Sequence, residues 1–199
     1  MKRLFFLPFA ALCAVILMQC TNASAPAAEE AAAPQPTHED TVKRGEYLIA
    51  IMGCHDCHSP KRLDANGNIE LVPDRMLPGY DARNAYQVPN LEATKQGFIL
   101  LNPDFTSFLG PWGVSFAANI TSDETGIGNW SLDQFKKAFK QGKYMGLDAE
   151  RMLLPPMPWF NMGNITEEDV SAIFTYLKST NPVRNVPPPP IPPDQLAQK

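Results

Sequence analysis

The feature that most restricts this chain is a run of six residues, Gly53-Cys54-His55-Asp56-Cys57-His58. The run holds two of the four cysteines and two of the three histidines. The other cysteines, Cys13 and Cys20, lie in the first twenty residues, so the folded part is not a disulfide scaffold. Whatever the chain folds into has to bring both thiols and the following imidazole to one place. A thioredoxin-like dithiol expects a strand before the motif within alternating strands and helices, and the preceding residues lack that pattern. A zinc site needs two ligands beyond the pair, and the histidines fall at no zinc-finger spacing. A structural disulfide across a two-residue gap is strained. Cys-x-x-Cys-His is also the attachment signature of c-type haem. There, each thiol forms one thioether to a porphyrin vinyl group, and the next residue reaches the iron through its imidazole. On that reading Cys54 and Cys57 hold haem c covalently and His58 is an axial iron ligand. His55 is expected to face solvent with no ligand role, and His38 to belong to a tether or a helix start.

The N-terminus agrees with that chemistry. Lys2 and Arg3 precede an apolar run over residues 4–18. This is the charged region and hydrophobic region of a secretory signal, short for a spanning helix. Residues 1–19 are read as the signal peptide, 20–36 as an Ala/Pro-rich tether, 37–181 as the folded domain and 182–199 as a proline-rich tail. Cleavage before Cys20 would leave a lipidated cysteine and a membrane anchor. The sequence Leu17-Met18-Gln19-Cys20 resembles the bacterial lipoprotein signal, with Gln19 where a small residue is usual. Cleavage after Ala25-Pro26-Ala27 would leave no anchor. Either route exports the domain to the periplasm or envelope, and covalent haem attachment in bacteria takes place outside the cytoplasm. The tether shows no apolar periodicity and cannot bury enough surface to offset its chain entropy. Prolines at 187–190, 192 and 193 make the tail a stiff extended segment, lying over the domain or free.

Between these ends, 44% hydrophobic content supports a packed core. A net charge of −4 supplies no positive field for nucleic acid. Away from the N-terminus no stretch reaches the roughly 18 apolar residues of a membrane span. Three helices are expected. The first covers about 40–53, with Val42, Ile49 and Met52 on one face. The second starts at Ser131, where Ser131-Leu132-Asp133-Gln134 reads as a capping box, carries Leu132, Phe135 and Phe139 as its stripe, and ends at Gly142. The third starts at Thr166 and places Val170, Ile173, Phe174 and Leu177 at helical spacing. The middle, 59–130, reads as long and irregular, with a tight turn at Asp64-Ala65-Asn66-Gly67 suited to a small hairpin.

An iron held by His58 needs a sixth ligand or an open position. Histidine is not in supply. Of the methionines Met52, Met76, Met145, Met152, Met157 and Met162, Met157 stands apart in Pro155-Pro156-Met157-Pro158-Trp159. Flanking prolines fix the backbone and remove N–H donors, which suits aiming a thioether at iron. A gap-filling core methionine is the alternative.

These motifs together resemble a known family. Cys54-His55-Asp56-Cys57-His58, Asn119-Ile120-Thr121, Thr125-Gly126-Ile127-Gly128 with Trp130, Pro155-Pro156-Met157-Pro158-Trp159 and a closing helix with Tyr176 are similar to small bacterial class I c-type cytochromes. The similarity is greatest to the cytochrome domains of membrane-bound alcohol and sugar-acid dehydrogenase subunits, and it covers most of 41–186. It implies a mainly α, class I cytochrome c-like fold around one covalently attached haem. It implies His58 on one side of the iron, Met157 on the other, and contact near Gly45 and Tyr176 where the first and last helices cross. The function it implies is a monohaem electron carrier, not an enzyme, passing single electrons to and from a dehydrogenase, an oxidase or a quinol-oxidising complex. The competing readings are a peroxidase-like haem enzyme or a haem sensor with an open distal position. Trp112, Trp130 and Trp159 are expected to pack the haem pocket. Lys136, Lys137, Lys140 and Lys143 are expected to form a solvated basic face or to steer an acidic redox partner. Asp64, Asn66, Asn68 and Glu70 faintly resemble a calcium loop, with glycine at the wrong position.

The export reading has a direct test. Mass spectrometry of the purified protein should find its N-terminus at a diacylglyceryl Cys20 or at Ala28. An intact Met1 in a cytoplasmic fraction would overturn export.

Overall fold

The computed structural model describes residues 35–89 and 91–196. The expected signal peptide, Cys20 and the expected tether up to residue 34 lie outside the described residues. The elements run α1 (His38–Ile51), α2 (Cys54–His58), β1 (Lys61–Leu63), β2 (Ile69–Leu71), α3 (Glu92–Lys95), β3 (Leu100–Leu101), β4 (Ser107–Gly110), β5 (Gly113–Phe116), α4 (Leu132–Gln141), a 3-10 turn (Tyr144–Gly146), α5 (Trp159–Met162), α6 (Glu167–Ser179) and α7 (Pro193–Leu196).

The start of α1 is set by a local device. The Thr37 side chain accepts the Asp40 N–H while the Asp40 carboxylate accepts the Thr37 N–H, a complete capping box. The helix therefore begins two residues earlier than its apolar periodicity suggests. At α6, Thr166 accepts the Asp169 N–H, and Glu167, Glu168 and Asp169 place negative charge in the first turn, where the helix dipole favours it. At α4 only half of the expected box forms. Ser131 accepts the Gln134 N–H, but the Gln134 side chain donates to the Met145 carbonyl instead.

α1 and α6 cross with their backbones in contact. A Cβ on Gly45 would lie 2.0 Å from the Ala172 carbonyl oxygen and 2.6 Å from the Tyr176 Cβ, so only glycine fits. Arg44 closes the crossing with a two-pronged pair to the Asp169 carboxylate at 2.8 and 3.1 Å. The core beneath joins Leu48 and Ile49 of α1, Phe135 and Phe139 of α4, Val170, Ala172, Ile173 and Leu177 of α6, and Leu77 and Ile127 from loops. Phe135 stacks on Phe139 and meets Phe174, both at 5.3 Å between ring centroids.

The middle region is less irregular than its sequence suggests. β1 and β2 form the expected hairpin, closed by Asp64, whose Oδ1 accepts the N–H groups of Asn66 and Asn68. Asp64 is thus occupied in shaping the turn, and Glu70 pairs with Arg62. β3, β4 and β5 form an antiparallel sheet that the sequence reading missed. Its strands are two to four residues long, too short for alternation to register.

The proline-rich segment is held on this body. Ile191 exchanges backbone hydrogen bonds with Val114 at the free edge of β5, and Leu196 is buried against Leu109 and Val114. Asn185 is the hub. Its Nδ2 donates to the carbonyls of Pro78 (2.6 Å) and Tyr80 (2.7 Å), and its Oδ1 accepts the Ala82 N–H (3.0 Å). Asn119 mirrors it, donating to the Val183 and Asn185 carbonyls and accepting from the Thr121 N–H and hydroxyl. Packing therefore continues past 181, where the sequence alone placed the end of the domain. Among the described residues no helix is long and apolar enough to cross a membrane.

Asn185→Ala strands two buried carbonyls and one N–H. It should lower unfolding stability by about 3 kcal/mol in chemical denaturation. A change below about 0.5 kcal/mol would show that the hub adds no more than an ordinary surface contact.

Candidate functional site

Gly53 joins α1 to the motif helix. It sits at φ 67, a left-handed conformation, and a Cβ there would meet Asp56 Oδ2 at 2.6 Å. The five residues of α2 place Cys54, Cys57 and His58 at i, i+3 and i+4, so the two thiols and the imidazole share one helix face. Both cysteines are free and partly buried, and Cys54 packs against the main core. Burial pushes the Cys54 thiol up to about 11, with Cys57 and Asp56 adding to the rise. Burial raises Cys57 as well, and the Lys61 charge opposes that rise. Reactive dithiols have the opposite signature, a depressed thiol pKa. The thiol-exchange reading therefore gains no support from the structure. Nor does the zinc reading, since no cluster of three or more His, Cys, Asp or Glu side chains suited to a metal ion forms among the described residues.

His58 is oriented from behind. Its Nδ1 lies 2.7 Å from the Ala118 carbonyl oxygen. A carbonyl can only accept, so Nδ1 carries the proton and Nε2 presents its lone pair. This is the arrangement that fixes the tautomer and ring plane of metal-binding histidines. Burial also lowers the imidazole pKa, which favours the neutral ligand form. The His58 backbone is held too, its carbonyl accepting the Gly79 N–H at 2.8 Å.

His55 departs from expectation. It does not face solvent. It is half-buried, with Nδ1 2.9 Å from the Ser59 hydroxyl, and that hydroxyl accepts the Leu77 N–H. The spacing of four residues on one helical turn brings the two side chains together. Ser59 is fully buried, so His55 helps fasten the end of α2 to the core loop at 77. Lys61 was missed altogether. Its ammonium donates to the carbonyls of His55 (3.1 Å), Asp56 (2.6 Å), Ser59 (2.8 Å) and Asp104 (3.2 Å). The one sequence signal for it is a cation just past a helix end, where carbonyls lack partners.

The loop carrying Met157 is restrained on both sides. The Leu153 N–H donates to the Gly142 carbonyl at 2.6 Å, and the Pro155 carbonyl accepts the Ser115 hydroxyl at 2.6 Å. Trp112 donates to that same hydroxyl from its Nε1 at 3.2 Å. Downstream, the Trp159 ring lies so close under Gly142 that a Cβ there would be 2.3 Å from it. Trp112 and Trp159 thus brace the loop, while Trp130 packs on the main core. Met157 is half-buried and packs against the same core cluster as Cys54. Met52 and Met162 also touch this core, whereas Met145 and Met152 are exposed. The structure thus holds a neutral imidazole with a free Nε2, two thiols one turn apart and a half-buried thioether on a braced loop. This donor set fits a covalently bound haem.

No protein-family model matches the chain. Curated relatives do. The chain is 27% identical over 176 residues to the fructose dehydrogenase cytochrome subunit of Gluconobacter japonicus, covering 87% of this chain and 28% of that subunit. It is 29% identical over 147 residues to the gluconate 2-dehydrogenase cytochrome c subunit of Pantoea cypripedii, covering 73% and 24%. It is 24% identical over 147 residues to the cytochrome c subunit of the quinone alcohol dehydrogenase of Gluconobacter oxydans (strain 621H), covering 73% and 23%. Over most of its length the chain is therefore similar to cytochrome c subunits of dehydrogenases. It spans about a quarter of the length of these relatives.

The lysines of α4 do not form an open basic face. Lys136 and Lys140 both pair with Glu167, at 2.7 and 2.5 Å, and Lys137 pairs with Asp148 at 2.6 Å. Lys143 reaches the Asp148 carbonyl. The first two pairs tie α4 to α6. The hydrogen bonds from Lys136 and Lys140 hold the Glu167 carboxyl down to about 2 from its ordinary 4.5. A lowered folded-state pKa means stabilisation that is present above pH 4.5 and lost as pH falls toward 2. Glu167→Gln should therefore lower the melting temperature at neutral pH, with the difference from the parent vanishing near pH 2. A gap that persists at that pH would show that Glu167 acts by packing and not by charge.

Proposed function

We propose that this chain is a single-haem c-type cytochrome that carries single electrons in the bacterial cell envelope. The observation that carries this reading is the motif helix. Cys54, Cys57 and His58 share one face, and the Ala118 carbonyl holds His58 in the tautomer that offers Nε2 to iron. Cys54 and Cys57 would bind the haem through thioethers, His58 would ligate the iron from one side and Met157 from the other. Haem, once bound, supplies one-electron chemistry, and a methionine axial ligand raises its potential. The chain's own part is to orient the imidazole, brace the thioether loop and keep water from the centre. The relatives named as dehydrogenase cytochrome subunits support a dehydrogenase as redox partner, with this chain as a subunit or a separate carrier. The mainly α, class I cytochrome c-like fold belongs to the same proposal, supported by the α1–α6 crossing at Gly45. So does placement in the periplasm or on the membrane through Cys20. A peroxidase-like enzyme or a haem sensor would need an open distal position.

Haem staining after denaturing electrophoresis tests the attachment. The parent should stain, and Cys54→Ala/Cys57→Ala should not; full staining of the double variant would remove the thioether assignment. Oxidised parent protein should show the weak near-infrared band of sulfur–iron ligation. Met157→Ala should lose that band, bind carbon monoxide when reduced and have a lower potential. Loss of the band in Met152→Ala or Met162→Ala instead would move the ligand and leave the carrier reading standing. No change in any of the three variants, with prompt carbon monoxide binding by the parent, would favour the open-site enzyme or sensor.

A further inference from the structure

A five-residue helix cannot hold its own geometry, because it has almost no internal hydrogen bonds to offset the order imposed on it. Gly53 and α1 fix one end of α2. The other end is fixed by Lys61. Three of its four carbonyl partners belong to the motif helix or to its C-cap residue Ser59, at the end where helix carbonyls run short of partners; the His55 carbonyl also accepts the Ser59 N–H. The fourth, Asp104, lies 43 residues away. That loop is itself tightly built. Asn102 Oδ1 accepts the N–H groups of Thr106 and Ser107, both at 2.8 Å, and Asp104 Oδ1 accepts the Thr106 hydroxyl at 2.6 Å. Between them Phe105 sits at φ 61, an uncommon conformation for a bulky residue, with its ring 5.7 Å from the Lys61 ammonium.

What separates Lys61 from Lys136, Lys137 and Lys140 is the absence of a carboxylate partner. Lys136 and Lys140 share the Glu167 carboxylate, and Lys137 pairs with Asp148. Among the described residues Lys61 makes no ion pair, and its hydrogen bonds all go to neutral carbonyls. The Asp56 and Asp104 carboxylates act on it only from beyond ion-pair distance, so its positive charge is offset in part and stays fixed at the end of the helix that carries Cys54, Cys57 and His58. Such a helix is only about 7.5 Å long, so the charge lies close to all three.

Resting on the haem reading above, we propose that Lys61 is a positioning residue with an electrostatic role. It clamps the motif helix to the 102–106 loop and holds a positive charge, not locked in an ion pair, beside the residues that would hold the haem, which raises the reduction potential. Reduction adds one electron and no proton to the centre, and a nearby fixed cation favours the less positive, reduced form. A clamp acting through hydrogen bonds alone would leave the potential where it is once the protein is folded.

The test uses the purified haem-loaded protein and three variants, read by potentiometric titration at fixed pH and ionic strength. Lys61→Met removes charge and donors, Lys61→Gln removes charge but keeps two donors, and Lys61→Arg keeps the charge. At a fixed poise, Lys61→Met and Lys61→Gln should raise the oxidised-to-reduced ratio by about tenfold, or about 59 mV for a one-electron couple. Lys61→Arg should stay close to the parent. If neither uncharged variant accumulates with haem while Lys61→Arg does, Lys61 is a structural clamp only and the electrostatic proposal falls. A parental potential in Lys61→Gln or Lys61→Met overturns the proposal, as does failure of all three variants to mature. A parent protein without covalent haem would instead remove the functional reading beneath it, and the haem stain reports that separately.

Discussion

The backbone contact between Gly45 and Ala172 is the constraint on which the rest depends. It lets α1 and α6 approach without intervening side chains, and Arg44 locks the approach onto Asp169. From that crossing α1 runs directly through Gly53 into the motif helix, and α6 runs into the segment that carries Asn185. A larger residue at 45 would force the helices apart and shift both ends together. The crossing thus fixes where the motif helix starts. Lys61, Ser59 and Gly79 then fix where it ends.

Polar groups buried in the loops do comparable work. A loop that packs under a tail must satisfy its carbonyls internally, because an unpaired buried group costs roughly 1–3 kcal/mol. Asn119 and Asn185 meet that demand with their side-chain amides, each serving several backbone groups at once. The consequence reaches the site. Asn119 follows Ala118 directly, so holding Asn119 in place also holds the carbonyl that orients His58.

What could be read from the sequence, and what could not, follows from the range of each interaction. Helix starts at Thr37, Ser131 and Thr166 depend on residues three positions apart, and two of the three were foreseen from local pattern. The hairpin at Asp64 was foreseen for the same reason. The six-residue motif announces its chemistry because all its reactive groups are adjacent in the chain. His55 was misjudged because its neighbours, Ser59 and Leu77, become its surroundings only when a distant loop folds onto α2. Ala118 was missed because its partner lies 60 residues away. Lys61 was missed because three of its partners are nearby backbone carbonyls, which leave no mark in residue types, and the fourth lies 43 residues away. The lysines of α4 looked like an open patch because Glu167, which pairs Lys136 and Lys140, lies on another helix, and Asp148, which pairs Lys137, lies in the loop beyond α4. The tail's attachment was open for the same reason, since the β5 edge it covers belongs to a sheet too short to show in the pattern.

That short sheet turns out to connect both sides of the proposed haem site. Within one stretch of chain, Ser115 donates to the Pro155 carbonyl two residues before Met157, and Ala118 accepts from His58. The two proposed axial ligands, 99 positions apart in numbering, are therefore braced by residues only three positions apart. β5 is in turn paired on one side with β4 and on the other with Ile191, so it has little freedom to move. An electron carrier gains from such a common brace. Ligand positions that differ little between oxidation states reduce the rearrangement that accompanies each electron. The sheet that sequence pattern failed to reveal is thus the element best placed to keep His58 and Met157 in register with each other.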